Sequence, residues 1–204
     1  MQVRIKGDTV EVEGYVNAIE RNSKPLWSRM GQFIERICKG AFKKALERND
    51  DVHILFNHDW DRDLGSTKQG NLELAEDSIG LHARATITDP EVVQKARDGQ
   101  LVGWSFGFTD RDVEQTVERD MPTRVVRDLD LYEVSLLDRS KRPAYDGTLV
   151  STRDDDSAVY HGFTLEQDIE TRDETTQEQP QQEETPAAID YSQYDQMIAE
   201  MKEE

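Results

Sequence analysis

Residues 101–108 read Leu-Val-Gly-Trp-Ser-Phe-Gly-Phe, and this octapeptide limits what the chain can fold into more than any other stretch. On a strand, successive side chains point to opposite faces. Val102, Trp104, Phe106 and Phe108 then share one apolar face that must find a core. Ser105 lies on the other face, between Gly103 and Gly107. Packing or a bulge is the plain reading of a small residue between glycines in a strand. The chemical reading is that a hydroxyl on bare backbone lets another chain come close, as a nucleophile requires. His58 lies 47 residues earlier and Glu133 lies 28 residues later. Together with Ser105 they would make a Ser-His-acid set, which is defined by geometry and not by chain order.

The flanking segments read as short elements. Residues 10–19 form a strand with imperfect alternation, 21–30 a loop, and 33–38 an extended stretch. Residues 41–48 form a short helix with Phe42 and Leu46 four apart on one face. A strand over 52–57 delivers His58 at its carboxyl end, beside a loop at 59–63. Residues 72–75 and 80–88 read as a hairpin. Thr88 is placed to cap a helix that has Pro90 in its first turn, Glu91 completing a capping box and Gly99 just past its end. Residues 113–118 and 124–137 read as an antiparallel pair turning at 120–123. Regular alternation over 124–137 sets Leu129, Leu131, Glu133, Ser135 and Leu137 on one face, and of these five only Glu133 and Ser135 are polar. Seven or eight short strands with two helices predict a mostly β, α+β domain: a small β-barrel with flanking helices.

Charge divides the chain. Residues 151–204 carry 16 acidic and 3 basic side chains, a net of −13, against −5 for residues 1–150. The expected division is a folded domain at 1–152 and an acidic tail at 153–204. Residues 172–186, rich in Glu, Gln, Thr and Pro, are expected to be disordered. Tyr194, Met197, Ile198 and Met201 recover helical spacing, either as a frayed end or as a docking peptide that folds on a partner. Such a tail repels phosphates, so no nucleic acid partner is expected. The one cysteine, Cys38, excludes an intrachain disulfide and fits a reducing cytoplasm. The opening Met-Gln-Val-Arg-Ile-Lys has no long apolar run, so no signal peptide is expected. No stretch approaches the roughly 20 apolar residues of a membrane span.

The order of segments is more specific than any one of them. Gly14-Tyr-Val-Asn17 is followed by the 35–42 stretch, then by 52–59 with Phe56-Asn-His-Asp59 and Leu64-Gly65. Ser78-Ile-Gly-Leu81, the Ser105 strand and Leu131-Tyr-Glu-Val-Ser-Leu136 come after. This series, from about residue 10 to residue 144, resembles the prohead (capsid maturation) serine proteases of tailed phages, a family considered similar to the herpesvirus assemblins. The resemblance implies a herpesvirus-protease-like β-barrel, with His58 as general base, Ser105 as nucleophile and Glu133 as the best match for the third member. Family members often follow the Glu133 segment with a Pro-Ala-Asn turn, where this chain has Asp138-Arg-Ser-Lys-Arg-Pro-Ala-Tyr145.

Serine needs a base to take its proton, and histidine titrates in the useful range. His58 would pass the proton from Ser105 to the leaving amine, and Glu133 would hold the imidazole; Asp128 and Asp130 are the fallback acids. An oxyanion hole needs donors near the attacked carbonyl. By likeness to the assemblins, the loop with Arg139 and Arg142 is the candidate, against a plain solvated turn. The competing chemistry is a zinc or manganese site at His53, His58, Asp59 and His82. His53 and His58, five apart, fall on opposite faces of a regular strand, and no helical His-x-x-x-His pair occurs, so no metal or cofactor is expected. The leading function is a serine endopeptidase that cleaves major capsid protein and scaffold segments, and its own tail, inside a procapsid assembling in the host cytoplasm. A second copy of the chain is the other expected partner, and none is a membrane. The alternative is a non-catalytic assembly or scaffold protein built on a protease-like fold.

Overall fold

The computed structural model of the protein describes residues 1–28, 31–141, 151–152, 159–161 and 170–175. The expected helical stripe at 194–201, Arg142 and most of the 172–186 stretch lie outside these residues.

Among the described residues the strands form two sheets and no closed barrel, which corrects the barrel expectation. The first sheet holds β1 (Gln2–Lys6), β2 (Thr9–Ala18), β7 (Leu72–Glu76), β8 (Gly80–Ile87) and β13 (Glu170–Asp173), in the order β13-β1-β2-β8-β7. Strand β1 is short, but Val3 and Ile5 alternate inward and are buried. Residues 172 and 173, expected to be disordered, belong to β13, which runs parallel to β1.

The second sheet follows the order β11-β12-β9-β10-β4-β3. Its strands are β3 (Leu26–Ser28), β4 (Gly31–Ile37), β9 (Leu101–Glu118), β10 (Met121–Asp138), β11 (Ser151–Thr152) and β12 (Val159–His161). Strands β5 (His53–Phe56) and β6 (Asp59–Ser66) join it through β10. The expected loop at 59–63 is thus the start of β6. The 101–108 and 113–118 segments are one strand, and residues 121–123 belong to β10, so the turn shrinks to Arg119 and Asp120. Both turn residues have positive φ, 50° and 63°.

Strand β10 organises the sheet. One edge pairs antiparallel with β9 from end to end. The other edge pairs parallel with β4 at Thr123–Val126 and with β5 at Glu133–Leu136. Helix α1 (Ala41–Arg48) connects β4 to β5, which follow one another along this edge of β10. Ala41, Phe42 and Ala45 are its buried residues, and Phe42 meets Phe106 edge-on at 5.4 Å between centroids. Helix α2 (Pro90–Arg97) precedes β9 and buries Val92, Val93 and Ala96. Its cap is Asp89 and not Thr88: the Asp89 carboxylate accepts from the Val92 backbone N–H at 2.9 Å. Trp104, Phe106 and Phe108 enter the main core with Val12 and Val16 of β2, Leu81 of β8 and Ile54 of β5, as their shared face required.

The alternation along β10 breaks at Tyr132. Leu131 pairs with Phe108, yet Glu133 pairs with Gly107, so Tyr132 is an extra residue and the strand bulges there. Leu129, Leu131, Val134 and Leu136 all face the main core. Glu133, Ser135 and Leu137 take the opposite face, opposite Gly107, Ser105 and Gly103. The single face expected for Leu129, Leu131 and Glu133 is therefore two faces, and the bulge is the reason.

Candidate active site

Residues 57 and 58 are the whole connection between β5 and β6. Phe56 pairs with Asp59, leaving a two-residue hairpin loop. Such loops favour turns with positive φ at both central positions, because that twist suits the flanking strands. Asn57 and His58 have φ of 58° and 60°. Asn and His are among the non-glycine residues that enter this region most readily. Several bonds hold the turn. The Asn57 N–H donates to the Leu136 carbonyl at 3.0 Å and the His58 N–H to the Ser135 hydroxyl at 3.0 Å. The Asn57 amide donates to Asp138 Oδ1, and the Asp138 N–H donates back to Asn57 Oδ1, each at 3.1 Å.

The turn sets the His58 ring over β10. Its Nδ1 lies 2.7 Å from Glu133 Oε1. The Ser135 hydroxyl donates to the other oxygen, Oε2, at 2.6 Å. Glu133 and Ser135 are both fully buried, so the carboxylate is held by hydrogen bonds and not by water. With the carboxylate ionised, the shared proton sits on His58 Nδ1 and the neutral ring offers Nε2 as an acceptor. Nε2 is buried and bonds to none of the described residues.

Gly107 explains where the carboxylate can lie. A Cβ on Gly107 would stand 2.5 Å from Glu133 Oε1. The bare backbone beside Ser105, read from the sequence as room for another chain, is at this position filled by the chain's own carboxylate. Oε1 therefore lies against β9 at Gly107, and His58 Nδ1 is 2.7 Å from it. Ser105 stands two residues away along β9, on the same face, directly opposite Ser135. Ser105 is itself buried, at 0% exposure.

Beside His58 lies a cavity of about 440 Å³ lined in part by Phe56, Asn57, Asp59, Arg62, Lys95 and Asp138. Lys95 Nζ of α2 is 2.8 Å from Asp138 Oδ2. Burial pushes the Asp138 carboxyl up, but hydrogen bonds from Lys95, Ser140 and Asn57 outweigh it and leave the pKa at about 2. Asp138 thereby ties the His58 turn, helix α2 and the end of β10 together. The sequence shows Asp138 only as the polar end of an apolar run; nothing marks its partners, 81 and 43 positions upstream.

The other expected residues are dispersed. Arg139 opens a 3₁₀ turn (Arg139–Lys141), is exposed, and donates its N–H to the Gln100 carbonyl at 3.0 Å. Asp128 and Asp130 pair with Arg48 of α1, at 2.6 and 3.2 Å, and not with His58. His53 Nδ1 meets Asp63 at 2.8 Å, and His82 Nε2 lies 3.5 Å from Glu13. The three histidines thus sit on three different carboxylates, and no metal-holding group of three or more His, Cys, Asp or Glu occurs among the described residues. Burial pushes the Cys38 thiol up. No helix among the described residues is long and apolar enough to cross a membrane.

The fold is mostly β, with a histidine on a buried carboxylate on the sheet face that carries a serine. The chain belongs to the caudovirus prohead serine protease family, whose model matches residues 1–161. It is accordingly a bacteriophage protease of capsid maturation, and its family implies a place of action inside the procapsid. No curated protein and no solved structure matches the chain.

Proposed function

We propose that the protein is a serine endopeptidase in which Ser105 attacks the scissile carbonyl, His58 moves the proton and Glu133 orients and charges the base. The observation that carries this reading is the 2.7 Å contact between His58 Nδ1 and Glu133 Oε1, over the stretch of β9 that bears Ser105. Nε2 is left to take the Ser105 proton during attack and give it to the leaving amine. Because Ser105 is buried, a substrate carbonyl must displace what covers that face. The loop with Arg139 and Arg142 follows β10 directly and supplies oxyanion donors in this reading. Substrates are major capsid protein and scaffold segments, and the chain's own tail, within a procapsid in the host cytoplasm; a homodimer is the proposed assembly. The protease domain is residues 1–152, and 153–204 form the tail, with 159–161 and 170–173 laid back on the domain as strands.

Ser105→Ala tests the proposal. The parent chain, incubated with capsid protein of its phage, yields truncated products by intact-mass measurement. The variant, equally folded, yields none, since loss of a catalytic serine costs on the order of a million-fold. Processing at the parent rate removes Ser105 from the role. Processing by neither chain favours the non-catalytic assembly protein.

A further inference from the structure

We propose that Ser135 is a positioning residue of this site, whose one hydroxyl fixes the acid and the base relative to each other. The inference rests on the assignment of Ser105, His58 and Glu133 just made.

The geometry is a closed loop of bonds. Ser135 Oγ donates to Glu133 Oε2 at 2.6 Å and accepts from the His58 backbone N–H at 3.0 Å. Glu133 Oε1 returns to His58 through the ring, at 2.7 Å from Nδ1. The acid is thus held to the base's backbone on one side and to its ring on the other. A hydroxyl has one proton and two acceptor lone pairs. Ser135 gives that proton to the carboxylate, so it cannot give it to the imidazole. Ser135 is therefore not a rival nucleophile, although it sits directly opposite Ser105.

Two features make the hydroxyl matter. Glu133 is fully buried, and a buried carboxylate needs hydrogen bonds to stay charged. His58 sits in a two-residue turn with positive φ at both positions, and its N–H bond to Ser135 is one of those that hold the turn against β10. Ser135 serves both needs. Without it, Glu133 loses the partner that leaves Oε1 for His58, and the turn loses one of its ties to β10. Ser135 has this place because the Tyr132 bulge puts residues 133 and 135, and not 132 and 134, on the Ser105 face.

The test follows covalent labelling of Ser105 by a fluorophosphonate probe, with the melting transition of each variant measured in parallel. Ser135→Ala lowers the limiting labelling rate at least tenfold, with little change in the probe concentration for half-saturation. Ser135→Cys, close in size and a weak donor, lies between that variant and the parent. In a Glu133→Gln background, Ser135→Ala costs less than threefold more, because it acts through a carboxylate already lost. Labelling of Ser135→Ala and Ser135→Cys at the parent rate overturns the inference. An equal loss in the Glu133→Gln background also overturns it, by showing a purely structural role. Should the alanine variant fail to melt cooperatively, the cysteine variant decides. Ser105→Ala separates the two readings: if it still labels at the parent rate, the catalytic assignment fails. If it does not label and Ser135→Ala does so at the parent rate, only the role of Ser135 fails.

Discussion

At the scale of single residues, Gly107 is the most exposed to test. Its missing Cβ is the space in which Glu133 Oε1 lies. Gly107→Ala must push the carboxylate off His58 or move β9. A carboxylate tip gives way more easily than a paired strand, so the variant folds with its melting midpoint close to the parent's. Its hydrolytic rate falls roughly a hundredfold or more, the scale of a lost acid–base partnership. Parent-like hydrolysis by Gly107→Ala would show that the carboxylate position does not matter to the reaction. Much of this was legible in the sequence. His58 and Glu133 were expected together and are 2.7 Å apart, and the glycine-flanked face of Ser105 lies as its alternation required. Ser135 was read onto the face of Glu133, but the side of the sheet they share was not legible, because regular alternation set the pair with Leu129 and Leu131, which in fact face the core. One extra residue, Tyr132, changes that parity, and a bulge leaves no mark in residue type. Buried Glu35 was equally invisible. Burial raises its pKa to about 8 against the attraction of Arg124, 3.1 Å away on β10.

Among elements, the β5–β6 turn, α2 and the end of β10 meet at Asp138. Its pKa of about 2 lies below the ordinary carboxylate value. The ionised group's contribution to stability is therefore complete above that ordinary value and is lost as pH falls toward about 2. Asp138→Asn should melt below the parent at pH 7, by about 2 kcal/mol of stability. The gap should close as both are titrated from about pH 4 down to about pH 2. A gap that stays constant over that range would show that charge is not what Asp138 contributes. The helices themselves were legible, since α1 spans the residues its spacing predicted. The capping residue of α2 was not. Thr88 and Asp89 are adjacent good caps, and the choice between them falls to local geometry that composition does not encode.

For the molecule as a whole, the sequence suggested a barrel because it counts strands and not their partners. Among the described residues the sheets stay open, with β10 giving one edge to β9 and dividing the other between β4 and β5. Beyond residue 152, β13 lies along β1, and the Glu170 and Glu174 N–H groups donate to the Met1 and Ile5 carbonyls at 3.1 and 2.8 Å. A chain cut after residue 175 keeps these bonds. One cut after residue 152 should melt lower, since each lost backbone bond is worth about 1 kcal/mol. Equal melting of the two would make residues 153–175 dispensable to the fold. The contact between His58 and Glu133 joins positions 75 apart, and neither can reach the other until β10 has taken its place against β5. While it is being synthesised, the chain thus carries its serine without the frame around it. A copy not yet synthesised past residue 133 cannot make that contact, so under the proposed function the completed sheet is what arms the chain.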